Sequence, residues 1–229
     1  MLYRIPVVNI IGSEGNGIYG AAFNIYNIML VLSSYGLPMA VSKLVSARFT
    51  KRRYKSAAKV LRCSLMVAVC TGGIAALLVF FGASFIENVI YGGGLPGLAI
   101  PLRILAPTIF LVAILGVIRG FFQGQSTMIP TAVSQILEQI VNAIVSIAAG
   151  YGMMKAFASS PDVAAYGAAG STLGTAMGAL TAVLFMGFLY AVYTPTFNRL
   201  KRKDRHTENQ STGQICKIII YTMIPIILG

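Results

Sequence analysis

Residues 12–46 read GSEGNGIYGAAFNIYNIMLVLSSYGLPMAVSKLVS. Four glycines (Gly12, Gly15, Gly17, Gly20) open the stretch as a Gly-rich turn, and from Gly15 to Ser42 it carries no formal charge. Lys43 and Arg48 end the uncharged run. A bilayer core of roughly 30 Å needs about 20 helical residues, so the run is long enough to span. It is not uniformly apolar. Asn24, Tyr26, Asn27, Ser33, Ser34 and Tyr35 place polar atoms at membrane depth. Polar groups there are costly unless they face other helices or a wet cavity. The stretch therefore reads as one wall of a helical assembly.

The remaining sequence supplies the other walls. The chain has 229 residues, 56% of them hydrophobic and 10% charged. A soluble domain carries about 25% charged residues. The deficit, with several long uncharged runs, identifies a polytopic membrane protein. The net charge of +12 comes from 18 Lys and Arg against 6 Asp and Glu. A basic chain can signal nucleic-acid binding. Here the basic residues cluster between apolar runs, as in the cytoplasmic loops of membrane proteins, so no nucleic-acid partner is expected. Met1–Pro6 lacks the pattern of a cleavable signal peptide. Cys63, Cys70 and Cys216 make no disulfide framework, and Cys63 and Cys70 read as hydrophobes one heptad apart.

Taken in order, residues 1–11 read as the end of a truncated first helix. Spans follow at about 17–45, 63–86, 100–122, 131–154 and 164–193. A basic cytoplasmic loop covers 199–214, and 215–229 begins a seventh transmembrane helix. Five complete spans with a partial one at each end suggest a piece of a larger protein. With the basic loop at 43–62 cytoplasmic, alternation places 15 of the 18 Lys and Arg at cytoplasmic ends; Arg4, Arg103 and Lys155 are the other three. Pro107 is expected to kink its span. Gly116, Gly120 and Gly124, and again Gly170, Gly174 and Gly178, recur every fourth residue. Such stripes let helix backbones approach closely, for static packing or for sliding contacts.

Few residues carry chemistry. Glu138, in SQILEQIVN, is an acid inside a span, with Ser134, Gln135, Gln139 and Asn142 on or near its face. An intramembrane acid is either an ion or proton site or part of a structural polar cluster. Arg4 can grip a phosphate through its planar fork, or snorkel to head groups. Lys43 is a cavity cation or a cytoplasmic anchor, and Arg119 with Gln123 invites the same two readings. Asn24 and Asn27, three apart, can hydrogen-bond a sugar or another helix. No Ser-His-Asp set, close carboxylate pair, metal-ligand cluster or phosphate-binding loop of the P-loop kind is present, and His206 is the only histidine. Neither an enzyme nor a cofactor or metal is expected.

Two stretches are more specific than hydropathy. LYRIPVVNIIGSEGNGIYGAAFNIYNIMLVLSSYGLPMAVSKLVS (2–46) and RILAPTIFLVAILGVIRGFFQGQSTMIPTAVSQILEQIVN (103–142) resemble the polysaccharide-exporter branch of the MATE-like flippases of the MOP superfamily, the group of stage V sporulation protein B and the MurJ-type lipid II flippases. The resemblance implies an all-α fold, the N-terminal six-helix lobe (1–198) of a MATE-like transporter with its first helix truncated. It implies a bacterial cytoplasmic-membrane flippase for undecaprenyl-pyrophosphate-linked glycan precursors such as lipid II, serving cell-wall or polysaccharide synthesis. Its partners would be the lipid-linked oligosaccharide, membrane lipids and a missing C-terminal lobe. Arg4 matches the family's first-helix arginine. The second-helix arginine has no counterpart near Ser33 and Ser34, and Lys43 is the nearest cation. The substrate-binding set is then Arg4, Asn24, Asn27, Lys43, Arg119 and Gln123, with Glu138 as the ion-coupling residue. The rival readings are a MATE-type drug or cation antiporter and an inactive flippase fragment.

Overall fold

The computed structural model describes the backbone of residues 4–33, 36–204 and 211–228, and the side chains of 11–33, 36–204 and 211–223. Among the described residues seven α-helices follow one another: α1 (Arg4–Ser33), α2 (Gly36–Thr50), α3 (Tyr54–Phe85), α4 (Ala99–Gln123), α5 (Ile129–Ala156), α6 (Val163–Lys203) and α7 (Thr212–Leu228). A π-helical turn, Ile86–Ile90, extends α3. Among the described residues there is no strand. Among the described residues five segments are long and apolar enough to cross a bilayer: Ile11–Thr50, Tyr54–Ile90, Ala99–Gln123, Ile129–Ala156 and Val163–Lys203. The protein is a multi-pass membrane protein. Large apolar side chains such as Phe81, Leu184, Phe188 and Ile144 point outward, as lipid-facing residues do.

The Gly-rich opening of the first stretch is helical. Gly12 alone leaves helical geometry, at φ 72° and ψ −176°, and kinks α1. That φ suits glycine, which has no Cβ to clash. Residues 17–45, read as one span, fall in α1 and α2. Pro107 lies inside α4.

The chain forms two compact units. The first comprises Met1–Met29, Ile74–Leu111 and Ile136–Thr181. Its apolar interior includes Ile18, Leu102, Leu105 and Ile109. In it, α6 lies against α5 along the second glycine stripe. A Cβ at Gly178 would stand 2.7 Å from the Glu138 carbonyl, and one at Gly174 would stand 2.6 Å from the Asn142 carbonyl. Beside them Ser146 Oγ donates to the Ser171 carbonyl at 2.8 Å. This unit also holds the cap of α4. The Glu87 carboxylate accepts from the Gly97 N–H at 3.0 Å and the Ala99 N–H at 2.8 Å. An acid at a helix N-terminus satisfies orphan donors and complements the helix dipole.

The second unit comprises Leu30–Gly73, Val112–Gln135 and Ala182–Gly229. Leu37, Val41, Val45, Val60, Phe121 and Met186 form part of its core, with Ile215 and Ile219 of α7. Phe121 touches Phe49, Tyr190, Tyr193 and Phe197 edge-on. The first glycine stripe packs α4 on α2. A Cβ at Gly120 would come within 2.6 Å of the Pro38 carbonyl, and one at Gly124 within 2.8 Å of the Ser42 carbonyl. α3 begins under a cap from far along the chain: Asp204 Oδ2 accepts the Lys55 N–H at 2.9 Å. By sequence this unit holds 15 of the 18 Lys and Arg. Only Arg4, Arg103 and Lys155 belong to the first unit, so the basic residues that sequence alternation groups together also share one compact unit.

Candidate functional site

α4 and α5 are joined by the short turn after Gln123, where Ser126 takes a positive φ of 62°. The turn folds the end of α4 back against the start of α5. Arg119 and Gln123 are one helical turn apart on α4, and Thr131 and Gln135 one turn apart on α5. Each pair is spaced evenly about Thr127, so an antiparallel hairpin sets Arg119 opposite Gln135 and Gln123 opposite Thr131. All four side chains line one cavity of about 410 Å³ in the second unit. Leu30, Pro38, Met39 and Val112 make its apolar side.

The polar side is organised around the guanidinium. Arg119 is half-buried, and its Nε donates to Ser134 Oγ at 2.9 Å. Ser134 is fully buried and in turn donates to the Thr131 carbonyl at 2.8 Å. The chain of bonds fixes the plane of the guanidinium. Thr131 is buried, and its Oγ1 has no hydrogen-bond partner among the described residues. A buried hydroxyl without a partner costs stability, and with its oxygen covered Thr131 borders the cavity without presenting that hydroxyl to it. Among the described lining residues there is no carboxylate. The site thus offers one cation and two amides beside an apolar wall. That combination suits an anionic or polyhydroxylated group attached to a hydrocarbon.

The other residues singled out in the sequence lie elsewhere. Lys43, on α2 in the same unit, is exposed and does not line the cavity. Asn24 and Asn27 are exposed on α1 in the first unit. Glu138 is half-buried in the first unit, within electrostatic reach of the buried Tyr26 of α1. Arg4 opens α1, and its side chain lies outside the described residues. His206 also lies outside them. The structure brings Arg119 and Gln123 together and adds Thr131, Ser134 and Gln135. Sequence reading had grouped Ser134 and Gln135 with Glu138. Their spacing about the α4–α5 turn is the signal that pairs them with Arg119. Among the described residues, no three His, Cys, Asp or Glu side chains gather as a metal site would require.

Comparison with known proteins agrees with this architecture. Residues 1–221 match the family described as polysaccharide biosynthesis protein. The chain is 34% identical over 163 residues to the lipid II flippase MurJ of Bacillus subtilis (strain 168), covering 69% of this chain and 30% of that protein. It is 30% identical over 185 residues to stage V sporulation protein B of the same organism, covering 80% of this chain and 34% of that protein. An outward-facing multidrug resistance MATE family transporter of the MOP superfamily superposes with a TM-score of 0.74 at 18% identity, over 99% of this chain and 48% of that one. An inward-facing structure of such a transporter gives 0.69 at 16% identity, over 99% and 49%. At that identity the likeness establishes the fold. The chain spans about a third of the length of the curated relatives it matches and about half of the solved transporters. With a helical membrane fold of MATE type and a family match over residues 1–221, this chain belongs to the polysaccharide biosynthesis protein family.

Proposed function

We propose that this chain forms one lobe of a flippase that moves an undecaprenyl-pyrophosphate-linked glycan precursor, such as lipid II, across the cytoplasmic membrane for cell-wall or polysaccharide synthesis. The observation that carries the reading is the Arg119 cavity. A guanidinium held by Ser134, with Gln123 and Gln135, matches a sugar-phosphate head, and Leu30, Met39 and Val112 match the start of a lipid tail. An antiporter for organic cations needs an acidic or aromatic cavity instead, because a cation over arginine is repelled. The relative named as a lipid II flippase supports the same substrate class.

The chain acts as a transporter and not as an enzyme. Alternating access is a rocking of one repeat against another around a central site, so this lobe works with a second lobe. The basic second unit lies toward the cytoplasm, following the positive-inside rule. Glu138 couples the states to an ion or proton gradient, and Arg4, Asn24, Asn27 and Lys43 contact the substrate in the course of transport. The reading is tested by reconstituting the protein, with its second lobe, in liposomes that hold a fluorescent undecaprenyl-pyrophosphate glycan. Transfer between leaflets that is lost in Arg119→Ala is the expected result. Efflux of an organic cation, with no glycan transfer, overturns it.

A further inference from the structure

The first helical turn of α7 meets α3 in the second unit at a pair of thiols. Cys63, on α3, is fully buried, and its Sγ lies 3.7 Å from the Thr212 carbonyl as donor. Thr212 opens α7, and Cys216 stands one turn further along the same helix. Cys63 Sγ thus sits beside the helical turn that carries Cys216, and the two thiols are neighbours at one core. Around them Ile215, Ile219 and Met223 of α7 enter the apolar core that holds Cys63, Val60 and Val67, and Cys216 packs against it. Cys216 is only half-buried, so one thiol of the pair is reachable from outside while the other is not. The third cysteine, Cys70, is exposed on α3, two helical turns away from Cys63.

We propose that Cys63 and Cys216 are a redox modification site, a dithiol that peroxide closes into a disulfide stapling α7 to α3. The chemistry takes two steps. The Cys216 thiolate attacks one peroxide oxygen, the O–O bond breaks, and sulfenic acid and one water form. The Cys63 sulfur then attacks the sulfenic sulfur, the S–O bond breaks, and the hydroxide leaves with the Cys63 proton as a second water. Two thiols lose two hydrogens in total, and hydrogen peroxide is reduced to two waters. Closing the bond brings the two sulfurs to about 2.05 Å. The sequence gives no hint of the pair, since its members lie far apart along the chain. The consequence is mechanical. A covalent link fixes α7 on α3, so any transport step that parts these helices stops until the bond is reduced. The inference does not depend on which substrate is carried.

The test uses the protein in the membranes of the cells that make it. Membranes are exposed to hydrogen peroxide, free thiols are alkylated, and the peptides are read by mass spectrometry. The expected result is a Cys63–Cys216 linked peptide, lighter by two hydrogens, which dithiothreitol reverses. It persists in Cys70→Ala and is lost in Cys216→Ser. Because Cys216 is only half-buried, that variant keeps the α3–α7 core, which its unchanged thermal unfolding verifies. Accumulation of Cys216 sulfinic acid with Cys63 still alkylatable overturns the proposal. So does a linkage of Cys70 in preference to Cys63, or peroxide-treated membranes in which both Cys63 and Cys216 remain thiols.

Discussion

Arg119 on α4 and Ser134 on α5 are joined by a 2.9 Å hydrogen bond from Nε to Oγ, and this bond leaves the outer guanidinium nitrogens directed by a buried hydroxyl. A lysine at this position keeps the charge but has no planar fork for Ser134 and a phosphate together. Arg119→Ala should therefore weaken binding of an undecaprenyl-pyrophosphate glycan about ten- to hundredfold, the size of a lost charge-assisted hydrogen bond. Arg119→Lys should recover only part of it. Ser134→Ala should show a smaller loss. Binding isotherms of the three variants against wild type check this, and an Arg119→Lys variant of full affinity would refute the fork.

Glu138→Gln should stop gradient-driven transport while leaving the fold intact. The carbonyl of Glu138 faces Gly178 and its side chain lies near Tyr26, so a neutral isostere preserves the packing and removes only the charge. Flux measured with and without an imposed ion gradient separates coupling from binding. Wild-type flux in the variant would remove Glu138 from the coupling step.

Gly120→Leu and Gly174→Leu should each destabilise the protein by several kcal/mol, at or beyond the roughly 1–3 kcal/mol typical of overpacking, because a new side chain meets backbone atoms that do not yield. At Gly120 it meets Pro38 and Val41, and at Gly174 it meets Asn142 and Ser146. Gly82 on α3 has open space where its Cβ would be, so Gly82→Ala should be neutral or stabilise by up to about 1 kcal/mol. Thermal unfolding in detergent compares the three.

Asp204→Ala should cost about 1 kcal/mol by removing the acceptor for the Lys55 N–H at the start of α3. Hydrogen exchange at the first turn of α3 should quicken, while exchange at α5 should not change.

The helices were largely legible in the sequence because uncharged runs of membrane length have one stable form in lipid. The glycine stripes also announced close helix contact, and Gly120 and Gly174 make it. Two features were not legible. The Gly12–Gly20 stretch looked like a turn, yet only Gly12 leaves the helix, since glycine permits a turn without requiring one. The Arg119 site was only half visible. Its polar partners sit across a turn, and their grouping depends on the α4–α5 register and not on the composition of either helix. Asp204 as the cap of α3 was out of reach for a further reason: its partner Lys55 is 149 positions away in sequence.

The contact of α4 with α2 at Gly120 and Gly124 gives the Arg119 cavity a stiff wall and a compliant one. Where backbone meets backbone there is no side-chain layer to shear, so the end of α4 and α2 travel as one lever, carrying Arg119, Pro38 and Met39 together. The start of α5 faces that lever across the cavity, and the Arg119 Nε bond to Ser134 Oγ joins the two. A displacement of α2 therefore carries the Arg119 guanidinium with it.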